Sequence, residues 1–304
     1  MIYEVRHLTT YRYNAPVTYA RCTLRLTPRE TQDQTVLESA ISILPRPSST
    51  RRRIGPFGEK ITAVSIETPH RELKIEATSR VQVKRMGADL TVRGAPWESV
   101  REAAVACATL EVGSPAHFLY PTTQTPILEP LTAYAQRAFT PGRPIIEAAF
   151  DLTKTIQREF EYDPKATAVS TPAIEAFESR RGVCQDFTHI MVSALRGIGL
   201  SAGYVSGYLR TVPPPGKPRL EGADATHAWV YLWCGDGLGW VGFDPTNGLI
   251  VANDHIELAL GRDYSDVAPI DGVILGSGEQ NLSVAVDVAP ILEDAEAPRT
   301  GSFL

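Results

Sequence analysis

Nowhere in the 304 residues do about 18 apolar residues run uninterrupted, so no membrane-spanning helix is expected. Cysteine is scarce: Cys22, Cys107, Cys184 and Cys234 are scattered without a C-x-x-C spacing. That speaks against a disulfide framework and against a structural zinc site. The opening MIYEVRHLTT has no basic stretch leading into an apolar one, so no secretory leader is expected at this end. A charge excess of one sign is also lacking. Lys and Arg number 30 against 35 Asp and Glu, a net charge of −5. The longest basic run, Arg51-Arg52-Arg53, lies in a Pro/Ser-rich stretch and reads as a solvated turn. A mildly acidic chain without a basic stripe is not expected to bind nucleic acid. No internal repeat or low-complexity segment is visible. The expected setting is cytoplasmic, a reducing compartment in which a cysteine remains a thiol.

What is present is ordinary globular composition, 43% hydrophobic and 21% charged, which excludes a disordered, collagenous or coiled-coil chain. The length corresponds to about two domains and suffices for a core that needs no staple. Tyr3, Val5, His7, Thr9, Tyr11 and Tyr13 share one parity while Glu4, Arg6 and Arg12 take the other, the period of a half-buried strand. His7 falls on the apolar parity and reads as a packed structural histidine. The alternation returns at 73–77 and 81–83, and Pro/Gly-bearing breaks near 45–58 separate the runs, as in an antiparallel sheet or sandwich.

Helical periodicity follows. A short helix is expected over 97–110, and another where Ile145, Ala149, Leu152, Ile156 and Phe160 recur behind Pro144. Thr171-Pro172 opens a third, with Gly182 placed for a left-handed C-terminal cap. A fourth begins at Cys184 and ends at Gly199. Strands are then expected over 201–209, 227–233 and 239–244, with a further alternating stretch at 282–288. Sheet, helices and sheet in that order point to an α+β chain: an antiparallel β-sandwich-like domain followed by an α+β domain.

Three segments carry chemistry: Gly182-Val183-Cys184-Gln185-Asp186-Phe187, Thr226-His227-Ala228-Trp229 and Gly242-Phe243-Asp244-Pro245-Thr246-Asn247. Cys184 enters a helix, whose N-terminus offers unpaired N–H groups and a partial positive charge. Both favour thiolate over the free thiol value of roughly 8.5, and the N–H groups can hold an oxyanion. His227 and Asp244 flank a Gly-rich break at 234–239 that reads as a hairpin. Opposed residues of such a hairpin have a constant sum of numbers, so the two lie directly or diagonally across, about 5–8 Å apart at Cβ. By parity they share a face with Trp229, Tyr231 and Trp233 and point away from the aliphatic one, as if lining a cleft. A buried small hydrophobe at 184 and an ordinary cross-strand pair at 227 and 244 fit the same residues. Joined, the three supply a nucleophile, a base and an orienting carboxylate.

The stretches GVCQDFTHIMVSALRGIGLSAGYVSGY, DATHAWVYLW and GWVGFDPTNG resemble the core motifs of the bacterial transglutaminase-like superfamily, papain-like thiol enzymes with cysteine proteases among them. The β-rich start resembles the N-terminal domain that precedes such cores. The resemblance implies Cys184 as nucleophile, His227 as general base and Asp244 as orienter, with no cofactor and no metal. Ser201-Ala202-Gly203-Tyr204 departs from the Pro-Ala-Arg-like start expected of that strand, which bears on the pocket more than on the chemistry. The expected divisions are an N-terminal β domain over 1–86, a linker with a short helix over 87–130, a transglutaminase-like catalytic domain over 131–290 and a tail over 291–304. Asp186 reads as a helix cap and His189 as a packing residue. Tyr162 is a candidate second oxyanion donor, and Pro213–Pro218 a surface connection. The expected activity is cleavage of peptide or glutamine-type amides through a thioester on Cys184, hydrolytic in outcome, with a peptide or protein as partner. An amine-accepting transglutaminase and a non-catalytic binding protein that keeps the fold are the alternatives. No acidic calcium-loop motif and no HExxH spacing is found.

Overall fold

In a computed structural model the chain is described over residues 1–85, 94–211, 224–276 and 278–291. The expected connection at 213–218, the start of the expected linker (87–93) and the tail beyond 291 lie outside the described residues. The alternating N-terminal runs form six strands: β1 (Ile2–Val17), β2 (Tyr19–Thr27), β3 (Gln34–Leu44), β4 (Ser49–Ile54), β5 (Lys60–Ile66) and β6 (His70–Val83). The stretches read separately at 73–77 and 81–83 are one strand, β6. Burial follows the sequence parity in β1, where Tyr3, Val5, His7, Thr9 and Tyr13 are buried and Glu4, Arg6 and Arg12 exposed. The basic run Arg51–Arg53 is not a turn: it lies in β4, an edge strand exposed along its whole length. An edge strand with a charged row resists pairing with other chains.

The helices and remaining strands follow in chain order. They are α1 (Trp97–Ala106), a 3-10 turn (Pro115–Phe118), α2 (Glu129–Gln136), α3 (Ile145–Glu159), β7 (Glu161–Tyr162), α4 (Ala173–Ser179), β8 (Arg181–Gly182), α5 (Cys184–Gly197), β9 (Ala202–Leu209), β10 (Ala225–Trp233), β11 (Trp240–Asp244), β12 (Leu249–Ile250), β13 (His255–Gly261), α6 (Tyr264–Val267), β14 (Ile270–Leu275) and β15 (Gln280–Ile291). Helix α1 stops at Ala106, short of the expected 110, and it buries Val100 and Ala104 in the same core as α3 and α5. It belongs to that core rather than to a linker. A five-stranded antiparallel sheet, ordered β12-β11-β10-β9-β13, packs against α5 through Phe187, Ile190, Met191 and Ala194 with Val230 and Leu232. No helix among the described residues is long and apolar enough to cross a membrane.

The last two strands do not extend this sheet. Strand β14 pairs with β2, and β15 pairs with β1 from Ile2↔Ile291 through Tyr13↔Gln280. The sheets are therefore β15-β1-β6-β3 and β14-β2-β5-β4, joined face to face by Leu24, Leu26, Val64, Ile66, Leu73 and Ile75. Residues 270–290, expected within the catalytic span, complete the N-terminal sandwich. Alternation at 282–288 states that one face wants cover, as Val286 and Val288 have it, but not which sheet edge supplies the backbone partners.

The two parts share buried contacts. Tyr3, Val5, Val81, Val83, Val286 and Val288 of the sandwich pack with Tyr208, Ile256 and Leu258 of the core. Glu257, fully buried on β13, accepts from Arg29 Nη1 at 2.6 Å and from the Tyr231 hydroxyl at 2.8 Å. His7 is packed, with ring nitrogens 2.9 Å from the Tyr208 hydroxyl and 2.8 Å from Thr9 Oγ1. Burial draws its pKa down to about 4.

Candidate active site

Helix α5 starts at Cys184 because Val183 is extended (φ −120°, ψ −178°) and Asp186, three residues on, reaches back to its N–H at 2.8 Å. Thr167 Oγ1 donates to the same carboxylate oxygen at 2.6 Å. Burial raises the Asp186 pKa, against those two hydrogen bonds. Asp186 is a cap, as its position in the sequence suggested. Gly182 is not the left-handed cap of the preceding helix; Arg180 takes that conformation, with φ 55°. Gly182 is required for another reason: a Cβ there would stand 2.6 Å from Asp186 Oδ2. The N–H groups of the first turn of α5 have no acceptor four residues back, and Cys184 is the first residue of that turn. It is part-exposed and packs beside Tyr204, Ala228, Ala259 and Tyr264.

His227 and Asp244 come from the hairpin of β10 and β11. The observed pairs, Val230↔Phe243 through Trp233↔Trp240, place Asp244 diagonally across from His227 on the same face. The His227 Nε2 to Asp244 Oδ2 distance is 2.8 Å, and the Cys184 sulfur lies near enough to the same ring to raise its pKa. With Nε2 engaged by Asp244, Nδ1 is the nitrogen left to face sulfur. Burial disfavours charge on His227, but the Asp244 hydrogen bond and the neighbouring sulfur outweigh it and lift the group to about 10. Asp244 is fully buried, which opposes its ionisation, yet the bonds from His227 and His255 hold it well below the usual carboxylate range. The site is a cysteine sulfur beside an imidazole held by a buried carboxylate.

Asp244 is held by more than His227. Oδ1 accepts from the backbone N–H of Thr246 at 3.0 Å and of Asn247 at 3.1 Å. Oδ2 also accepts from Asn247 Nδ2 at 2.7 Å and His255 Nε2 at 3.1 Å. The role of Asn247 was open to reading, since Asp-Pro-Thr-Asn is the composition of a turn in which Asp binds the backbone two residues on. His255 carried no such signal. It opens β13, at the far side of the sheet from β11, and only the fold brings it near.

Among the described residues, the face shared by His227 and Trp229 is covered rather than lining an open cleft. Trp229 is fully buried beneath Phe57, Phe118, Val205, Val251 and Leu260, and His227 is 8% exposed. Segments outside the sheet cover this face, which strand parity cannot foresee. Among the remaining candidates, His189 is buried against Tyr204, with ring centroids 4.9 Å apart, and accepts from the Tyr264 N–H at 3.3 Å. It packs, as expected. Tyr162 is 55% exposed; its backbone pairs with Gly182, and partial burial and the Cys184 sulfur raise its hydroxyl pKa. A surface hollow of about 530 Å³ lies over β1, β3 and β6, lined by Glu4, Arg6 and Arg80 and by none of the residues around the thiol. Ligand atoms of His227, Asp244 and His255 lie within 4.8 Å of one another, close enough to surround an ion. The hydrogen bonds joining the three already use those atoms.

Residues 3–82 match the bacterial transglutaminase-like N-terminal region and residues 132–245 the transglutaminase-like superfamily. Uncharacterized proteins of Mycobacterium tuberculosis and Mycobacterium bovis are 38% identical over 301 residues, which is 96% of this chain and 94% of theirs. One of Mycobacterium leprae is 32% identical over 291 residues, 94% of this chain and 97% of its own. A crystal structure from Cytophaga hutchinsonii, described as "a Putative Cysteine Protease", superposes with a TM-score of 0.75 at 20% identity and covers 97% of this chain and 92% of that one. It has the same fold.

Proposed function

The chain belongs to the transglutaminase-like superfamily, with the bacterial transglutaminase-like N-terminal region ahead of its core, and from that premise we propose that it is a thiol enzyme hydrolysing peptide or glutamine-type amide bonds. The observation that carries this reading is the His227–Asp244 hydrogen bond at 2.8 Å on a ring whose pKa the neighbouring Cys184 sulfur raises. In the proposed reaction Cys184 Sγ, its proton passed to His227, attacks the amide carbonyl. The oxyanion is held by free N–H groups at the start of α5, with the Tyr162 hydroxyl as second donor. His227 gives its proton to the departing ammonia or amine as the C–N bond breaks, leaving a thioester on Cys184. Water, losing a proton to His227, attacks the thioester, and the carboxylic acid leaves as the thiol re-forms. Asp244 holds the ring so that Nδ1 faces sulfur. The scheme uses no metal or organic cofactor. An amine in place of water gives transamidation; hydrolysis is preferred because water is present at every turnover and an amine must be recruited. The proposed setting is a reducing one, such as the cytoplasm, since the nucleophile must stay a thiol.

The test is intact-mass detection of an acyl adduct on Cys184 in the wild type after incubation with peptide and glutamine-type amides whose acyl groups are released slowly, with Cys184→Ala as the control that should carry none. An adduct at Cys184 supports the reading. Iodoacetamide supplies an independent check, with Cys107 as the fair control because it too is part-exposed. Alkylation at Cys184 no faster than at Cys107 sinks the enzyme and favours a binding protein that keeps the fold.

A further inference from the structure

We propose that His255 is a positioning residue of this site, whose Nε2–H fixes the Asp244 carboxylate in the plane from which it orients His227. The inference rests on the thiol-enzyme reading above. Three observations carry it. His255 Nε2 lies 3.1 Å from Asp244 Oδ2, the oxygen that also accepts from His227 Nε2 at 2.8 Å. The residue is 2% exposed. Its other ring nitrogen, Nδ1, is buried with no hydrogen-bond partner among the described residues. An orphaned buried nitrogen costs free energy that an apolar residue at the same place would not incur, so the bond to Asp244 is the polar purpose of this side chain.

The surroundings fit the role. Trp229 stands edge-on to the His255 ring at 5.2 Å between centroids and 82°. The indole has space because residue 207, on β9, is glycine: a Cβ there would lie 2.4 Å from the Trp229 ring. The groups facing His255 are Asp244 on β11, His227 on β10 and Arg85 after β6. Arg85 binds the His255 carbonyl at 3.0 Å and is itself paired with Asp33 at 3.3 Å. The neighbouring Asp254 is engaged by Arg210 and Tyr3. Burial, Arg85 and the charge on His227 all press His255 toward the neutral form, against the pull of Asp244. A neutral ring has one N–H, and the carboxylate calls it to Nε2. Such a donor aligns Asp244 without neutralising it, whereas a second cation would compete with His227 for the same charge.

The experiment follows the rate of Cys184 alkylation by iodoacetamide against pH, read by mass spectrometry, in the full-length wild type and in His227→Ala, His255→Leu and His255→Gln. The Leu variant removes the donor at similar volume; the Gln amide nitrogen reaches about where Nε2 stands. The expected result is a drop of roughly 10- to 100-fold at neutral pH in His255→Leu, the range seen when a supporting hydrogen bond is removed from a ligand, with the midpoint of the pH profile displaced. His255→Gln restores most of the rate and the wild-type midpoint. A His255→Leu profile that overlays the wild type overturns the proposal while leaving the enzyme reading intact. A His227→Ala profile that overlays it removes the reading beneath. Should His255→Leu not fold, imidazole nitrogen NMR of the wild type decides: a neutral Nε2–H tautomer at His255 through the neutral range supports the proposal, and an Nδ1–H tautomer overturns it.

Discussion

At the scale of single residues, the thiol, the imidazole and the carboxylate were legible because each sits in a short segment whose chemistry shows locally: a cysteine at a helix start and two polar residues astride a Gly-rich hairpin. Replacing Cys184 by Ala removes a sulfur from a part-exposed position and leaves only a small void. Turnover should vanish while the unfolding free energy from urea titration stays within about 1 kcal/mol of wild type. The histidines also set how stability varies with pH. His7 and His189 are buried and held near 4 by burial, whereas in an unfolded chain each takes a proton at about 6.5. Their contribution is complete above that value and is lost as the pH falls toward 4; His255, also lowered, adds to this acid side. His227, raised to about 10, acts in the opposite sense: its contribution is complete below about 6.5 and is lost as the pH climbs toward 10. Urea unfolding from about pH 5 to about pH 9 should therefore peak near neutrality, with slopes of up to about 1.4 kcal/mol per pH unit for each titrating group. His227→Ala should flatten the alkaline limb alone.

At the scale of elements, the start of α5 depends on two residues that carry no chemistry. The first, Asp186, was legible as a cap. For Gly182 the need for glycine was legible but its cause was not, because the crowding comes from a side chain four residues ahead rather than from backbone handedness. Gly182→Ala should displace Asp186 from the Val183 N–H and cost about 1–2 kcal/mol, as the loss of a cap does, with slower iodoacetamide reaction at Cys184. Gly237→Ala in the hairpin, where an added Cβ meets nothing within 4 Å, should be neutral in both assays. The run Arg51–Arg53 shows the limit of composition. Its flanking prolines and serines read as a turn, yet hydrogen bonding to β5 made it a strand. The hairpin shows what parity secures: it fixed the shared face of His227 and Asp244, while the offset by one diagonal was left to the turn at 234–239.

At the scale of the whole molecule, the sequence showed a sandwich and a core but not how they are tied together. Glu257 with Arg29, and the C-terminal pairing with β1, join residues more than 200 positions apart, and no local pattern reports such distances. Removing either partner of the buried Arg29–Glu257 pair strands a charge. Glu257→Leu should lower stability by about 3 kcal/mol or more, read by thermal unfolding. Truncation after 276, which removes β15, should leave a chain that fails to elute as a compact monomer, because β1 loses its outer partner strand and the cover of Tyr3 and Val5 goes with it.

That pairing also sets an order of events during synthesis. Strand β1 leaves the ribosome well before residues 280–291, its partners on one edge, and the segments bearing the sulfur, the ring and the carboxylate emerge in between. A polypeptide synthesised as far as residue 279 thus carries all three groups while the outer edge of β1 is still without residues 280–291.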